Sequence, residues 1–271
     1  MCCLLRHGNR SNVTRSKGGP GKVCPLTRRY LDPVATTTLP AKKKGVASSS
    51  IGLKMLMAGT GVIFILYVLL HMYGNLKALA GQEAFDTYAH HLRTFGEPML
   101  PYGGLLWIVR IVLILALVGH VYAALKLIAR NNAARPVRYQ VKKNIGSTLA
   151  SRTMRWGGLA LFIFVIFHLI QFTIVKPNLY GDGASAEAIK ESPYVMISAA
   201  FAMWWVLLIY VLALVALGMH LYHGVYSASQ TMGLNNTATA RARARAIGAV
   251  LAAVIVVGFL IPPVYIFIDS L

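Results

Sequence analysis

The chain has 271 residues, of which 56% are hydrophobic and 13% charged, and its mean hydropathy is +0.59. A soluble domain of this length is not expected to be so apolar, so the composition excludes a soluble globular enzyme. The formal net charge is +19. Because no nucleic-acid-binding motif accompanies this charge, we assign it to membrane topology, anionic lipid or a docked partner, and we expect no nucleic acid among the partners.

The first fifty residues form a basic arm with a single acidic residue, Asp32. Low hydrophobicity and unbalanced charge predict that the arm is disordered unless a partner binds it. It has no continuous apolar stretch of the secretory type, and a transit peptide is the alternative to an unstructured bacterial extension. Its cysteines, Cys2, Cys3 and Cys24, lack zinc-ligand spacing, and acylation of Cys2 or Cys3 is left open.

Five apolar stretches follow the arm. A hydrocarbon core about 30 Å thick is crossed by about 20 helical residues, and each stretch reaches that length. We therefore predict an all-α integral membrane protein, with the arm at 1–50 and one five-helix transmembrane domain at 51–271. The predicted spans are 51–73, 103–128, 156–176, 195–224 and 246–268.

Basic residues are concentrated in alternate connections. The N-terminal segment up to Lys54, the segment 126–155 and the segment 241–245 together hold 22 of the 27 Lys and Arg residues. Lys and Arg beside a span resist transfer across the bilayer, so these segments are expected on the inner side. This places the N-terminus in the cytoplasm and the C-terminus outside, with the chain integral to the plasma membrane.

Each of the first four spans carries one histidine: His71, His120, His168 and His220. Ionisable side chains within a span are costly and usually face the bundle interior, where they pair or bind a ligand. Counted from the inner edge of each helix at 1.5 Å per residue, His71 and His168 lie roughly 25 and 20 Å deep, and His120 and His220 roughly 9 and 15 Å deep. Two histidines at each of two levels are what two stacked bis-histidine haems require.

The side chains of the spans are less suited to binding sites for other metals. Zinc or di-iron carboxylate sites would need thiolates or carboxylates on the same faces, and the spans hold none apart from the terminal Asp269. Small residues near the histidines, including Gly61, Gly119, Gly158 and Gly218, would leave room for a flat ring. Close packing of helices is the alternative role for these glycines.

The stretches around the histidines resemble a known family. They read LYVLLHMYGN, GQEAFDTYAHHL, ALVGHVYAALKLI, FIFVIFHLIQ and GMHLYHGVYSASQTMG. Residues 50–268 resemble the cytochrome b membrane anchor of succinate dehydrogenase, of the single-chain, five-helix, two-haem type found in succinate:menaquinone oxidoreductases and fumarate reductases.

The resemblance implies a ligand set and a function. It pairs His71 with His168 on a distal, outer b haem and His120 with His220 on a proximal, inner one. His223 is left as a propionate or quinone neighbour, or as a polar residue with its own hydrogen-bond partner. Flavoprotein and iron–sulfur subunits would dock on the basic inner face and pass electrons through this chain to menaquinone or another quinone. No catalytic residue is expected in the chain itself, and an oligomer of the whole complex is left open.

Further side chains are candidates for binding the haem edge or quinone. Arg110 lies within the second span, where a distal haem propionate would be its natural partner. For the quinone-site candidates at the two membrane edges, snorkelling side chains and an aromatic belt are the alternative interpretation. They are Lys54, Arg155 and Trp156 on the inner side and Tyr73, His90, His91 and Arg93 on the outer side.

Two other functions remain open from the sequence. A di-haem cytochrome b of a nitrate reductase or hydrogenase would place its ligands on fewer helices than four. A proton-coupled transporter would show broken helices, internal repeats or buried carboxylates, and the sequence indicates none of these.

Overall fold

The computed structural model describes residues 49–134, 149–177 and 185–271. The predictions for the arm and its cysteines, and for the basic residues at 135–148, lie outside these ranges. Within them every regular element is a helix. The α-helices are α1 (Ser50–Leu76), α2 (Gln82–Thr94), α3 (Gly104–Ala133), α4 (Leu149–Leu169), α5 (Ala186–Glu191), α6 (Pro193–Phe201), α7 (Trp204–Thr231) and α8 (Ala238–Asp269).

Five of these helices are long and apolar enough to cross a membrane. With a 3₁₀ turn at Lys77–Ala80 that extends α1 and a π turn at Ile170–Ile174 that extends α4, the five spans contain 31, 30, 26, 28 and 32 residues. Each exceeds the roughly 20 residues that the hydrocarbon core requires. The predicted all-α, five-span membrane protein is confirmed.

Several predicted boundaries differ from the structure, and the start of the fourth span differs in kind. The fourth span was expected to begin at residue 195, but residues 193–201 form the separate helix α6, and α7 begins only at Trp204. The backbone of Met203 is extended between the two helices. An unbroken run of apolar side chains does not reveal such a break, because the break lies in the backbone angles.

The fifth helix begins eight residues before the predicted position, at Ala238 rather than 246. The Thr237 side chain accepts a hydrogen bond from the Ala240 amide at 3.0 Å and caps the helix. Alternating Ala and Arg residues follow, and both have high helix propensity although they are not uniformly apolar. Hydropathy therefore missed about two helical turns that capping and propensity support.

The spans pack unevenly. α1 packs against α3 and α8, while α7 packs against α4 and α8 and also touches α1. The central cluster contains Leu221 of α7 with Ala252 and Ile255 of α8. Most large apolar side chains of α3 and α4 are exposed, as expected for surfaces that face lipid. Two helix pairs, α1–α3 and α4–α7, are thus held together through α8 and the α1–α7 contact.

A cap of short helices covers one end of the bundle. Its core includes Ile189 of α5, Ile197 and Phe201 of α6, and Ile266 of α8. The Asp86 carboxylate of α2 accepts hydrogen bonds from the Ser192 hydroxyl and from the Tyr194 amide, the latter at 3.0 Å. These bonds tie α2 to the start of α6 and fix the cap in place.

Candidate haem site

The histidines on the four spans meet in two pairs. The ring centroids of His71 and His168 are 5.8 Å apart, and those of His120 and His220 are 6.2 Å apart. Each pair takes one ring from α1–α3 and one from α4–α7. The structure therefore brings together the same two pairs that the sequence and the resemblance predicted, while metal ligation itself stays a prediction.

The spacing within the pairs suits a shared metal ion. Imidazole nitrogens bind metals such as zinc at about 2.0–2.1 Å, so two imidazoles on opposite sides of one ion place their ring centroids about 6 Å apart. Both observed separations are close to this value. Elsewhere in the described ranges, no group of three or more His, Cys, Asp or Glu side chains is placed to hold a metal ion.

The surroundings of the His120–His220 pair also suit a flat ligand. A Cβ added at Gly158 would lie 3.7 Å from Cε1 of His220, and one added at Gly61 would lie 4.0 Å from Cε1 of His120. The Nδ1 atom of His220 is buried without a hydrogen-bond partner among the described residues. The glycines leave space for a planar group between the histidines, and Nδ1 of the His220 imidazole is not committed to another side chain of the described residues.

One protein family matches the segment of the chain that contains His168 and His220. The family model described as succinate dehydrogenase/fumarate reductase transmembrane subunit matches residues 128–260. The matched segment contains α4 to α7 and most of α8, and with them His168 and His220. Comparisons with curated proteins and with solved structures gave no match. This segment is therefore similar to the transmembrane subunits of succinate dehydrogenase and fumarate reductase.

Aromatic rings surround the His71–His168 pair. The His71 ring stacks on Tyr67 with 5.4 Å between centroids and 11° between planes, and it also contacts Phe259 of α8. His168 is flanked by Phe164 and Phe172 on its own span. Ring packing therefore restricts the orientation of both imidazoles before any ligand binds.

Three polar residues beside the histidines were missed by the sequence reasoning. The Thr60 hydroxyl lies 3.0 Å from Nδ1 of His120, and the Tyr210 hydroxyl lies 3.0 Å from Nδ1 of His168. Gln171 accepts a hydrogen bond from Tyr210 and is only 1% exposed. A glutamine in the middle of an apolar stretch was a usable signal, because buried amides require partners.

His223 was predicted as a neighbour of the haem edge rather than a ligand. It is half-buried on α7, one turn beyond His220, and the ring that faces His120 is that of His220. This geometry supports the choice of His220 over His223.

Arg110 is exposed six residues into α3, about 9 Å along the helix axis at the rise of 1.5 Å per residue. Its guanidinium lies 5.1 Å from the Trp107 ring centroid. Nearby, partial burial together with the charges of Arg93 and Arg110 lowers the pKa of Lys176. Arg93 and Arg110 therefore lie close enough to Lys176 for their charges to affect it.

The structure distributes the quinone-site candidates over the two ends of the bundle. Lys54 and Trp156 are exposed, and Arg155 donates a hydrogen bond to Asn132 at 3.5 Å. At the opposite end, Tyr73 contacts Tyr88 edge-on and lies under the ammonium of Lys77. Three further candidates lie on α2, where His90 and His91 are exposed and Arg93 is half-buried.

Proposed function

We propose that this chain is the cytochrome b membrane anchor of a succinate dehydrogenase, and that it passes electrons from an iron–sulfur subunit through two b haems to menaquinone or another quinone. The observation that carries the proposal is the meeting of four span histidines in two pairs, at separations suited to bis-imidazole ligation. The family match favours this function over a nitrate reductase or hydrogenase subunit and over a transporter.

Each residue has a distinct part in the proposal. His71 and His168 would hold one haem, and His120 and His220 the other. Bound haem iron would supply reversible one-electron transfer. Gly61 and Gly158 leave the space beside the second pair open, and the aromatic rings around the first pair exclude water from the imidazoles.

The charged ends of the bundle would complete the assembly. We assign to Arg110, together with Arg93 and Lys176, the binding of the propionates of the haem at His71–His168. Nearby cations stabilise a carboxylate. The flavoprotein and iron–sulfur subunits would dock at the opposite end, where Lys54, Arg155 and the α8 arginines are exposed. That end would face the cytoplasm, as charge placement predicts.

Replacing one ligand of each pair tests the assignment. In the purified complex, His168→Ala is expected to remove one haem and leave the other, and His120→Ala is expected to remove the other one, because a haem held by two imidazoles loses half of its protein ligands. The measurement is the haem content per complex, with the α-band of the reduced protein recorded for each variant.

His90→Ala is the matched control, since His90 is exposed on α2 and lies in neither pair. It should retain both haems. Two haems in His120→Ala or His168→Ala, or loss of both haems in each variant with the complex intact, would contradict the assignment of separate pairs.

A further inference from the structure

We propose that the hydroxyl groups of Thr60 and Tyr210 are positioning residues that fix the tautomers of His120 and His168, so that Nε2 of each ring faces the metal. The inference rests on the proposed function, because it concerns the presentation of haem ligands. It adds one residue to each pair, and each residue lies on the helix packed against its histidine.

The single hydrogen of the Thr60 hydroxyl is already used. The hydroxyl donates to the carbonyl oxygens of Leu56 and Met57, at 2.8 and 3.1 Å, within its own helix. A threonine hydroxyl has one hydrogen and two acceptor lone pairs. Toward Nδ1 of His120, 3.0 Å away, we therefore assign the hydroxyl the acceptor role, which places the imidazole hydrogen on Nδ1.

The same reasoning holds for Tyr210. Its hydroxyl donates to the side-chain oxygen of Gln171 at 2.9 Å, and it lies 3.0 Å from Nδ1 of His168. Since the phenolic hydrogen is directed to Gln171, the phenolic oxygen accepts from His168. Gln171 is buried in the π turn that follows His168. This turn therefore positions the Gln171 side-chain oxygen, which accepts the hydrogen bond from Tyr210.

The Tyr210 ring itself is held firmly. Its centroid lies 4.9 Å from those of Phe164 and Phe201, and both contacts are edge-to-face. Edge-to-face aromatic pairs contribute beyond simple burial, by about 0.5–1.5 kcal/mol each. The hydroxyl is thus presented to His168 from a restrained ring rather than from a mobile side chain.

A neutral imidazole with its hydrogen on Nδ1 has its lone pair on Nε2. A hydrogen bond from the far ring nitrogen fixes the tautomer and the ring orientation of a metal-bound histidine and makes the ligand more basic. A more basic ligand stabilises oxidised iron, so the midpoint potential of each haem is lowered. His220 differs, because its Nδ1 has no partner among the described residues. At the His120–His220 pair, only the His120 ring therefore receives this support.

The test is a redox titration of the purified complex carrying Thr60→Val or Tyr210→Phe. Both changes keep nearly the same shape and remove only the hydroxyl. Thr60→Val is expected to raise the midpoint potential of the haem at His120–His220 alone, and Tyr210→Phe that of the haem at His71–His168 alone. Thr60→Ser, which restores the hydroxyl, should return the potential to the wild-type value.

Matched controls separate the hydroxyl from general effects of substitution. Thr153→Val removes a hydroxyl that also donates to its own helix, but whose further hydrogen-bond contact is to the Met219 sulfur instead of a histidine. Tyr226→Phe removes a phenol of α7 that contacts Gln230 instead of a histidine. Neither control should move either potential.

The outcomes distinguish the two proposals. Wild-type complex without haem would overturn the proposed function. Wild-type complex with two haems, and with unchanged potentials in both Thr60→Val and Tyr210→Phe, would overturn only the role of the hydroxyls.

Discussion

Gly157 and Gly158 are neighbours in α4, yet they have different surroundings. A Cβ at Gly158 would approach the His220 ring to 3.7 Å, whereas one at Gly157 would have no atom within 4 Å. The sequence showed both glycines equally well. It could not show which one faces a histidine, because that depends on how α4 is rotated against α7.

This difference makes a direct prediction. Gly158→Ala should lower the content of the haem held by His120 and His220, because the new methyl group occupies space beside the His220 ring. Gly157→Ala should leave both haems in place. Either change stabilises the α4 helix itself by roughly 0.5–1 kcal/mol, so haem loss in only one variant is not explained by unfolding.

The measurement is haem content per complex, with the thermal stability of each variant recorded in parallel. Equal haem contents in the two variants would show that the Gly158 position does not border the ligand. That result would remove one of the observations that support the fit of a planar group.

The four histidines could be recognised as candidate site residues from the sequence for a physical reason. An imidazole is costly within an apolar span, so its presence indicates a partner, and the depth along each helix indicated which histidines could meet. Thr60 and Tyr210 were not predictable in the same way. Threonine and tyrosine are common in membrane helices, and only the packing of neighbouring helices shows that these two hydroxyls reach imidazole nitrogens.

For the helices, length and composition were enough to predict the five spans. They were not enough to predict where each span begins and ends. The break at Met203 between α6 and α7 lies within a continuous apolar run. The π turn at Ile170–Ile174 also left no trace in hydropathy. Both features depend on local backbone geometry, and the π turn carries Gln171, which completes the surroundings of His168.

The cap formed by α2, α5 and α6 depends on one carboxylate. Asp86→Ala should destabilise the cap by about 1–3 kcal/mol, because the Ser192 hydroxyl and the Tyr194 amide both lose their acceptor. Hydrogen exchange of α2 and α6 would measure the change. We expect faster exchange in these two helices and unchanged exchange in α7 and α8.

Glu83→Ala is the control on the same helix, since Glu83 is exposed in the first turn of α2. It should leave exchange in α6 unaltered. An equal effect of Glu83→Ala and Asp86→Ala would indicate that charge near the helix terminus, rather than the tie to α6, governs the cap.

At the scale of the whole molecule, charge and side-chain contacts agree on which helix ends lie together. Arg130 near the end of α3 donates to the Ser50 hydroxyl at the start of α1 at 3.2 Å. Arg155 near the start of α4 donates to Asn132 near the end of α3. The basic ends of three spans therefore meet at one end of the bundle, as the distribution of Lys and Arg predicted. The assignment of that end to the cytoplasm stays a prediction.

The central claim is that paired histidines on four membrane helices hold two b haems. The most direct test is the molar ratio of haem b to this chain in the purified complex, together with the electron paramagnetic resonance spectrum of its oxidised form. We expect a ratio of two and low-spin iron in both sites, because each iron would have two imidazole ligands. A ratio near zero, or a high-spin signal from fully loaded wild-type protein, would contradict it.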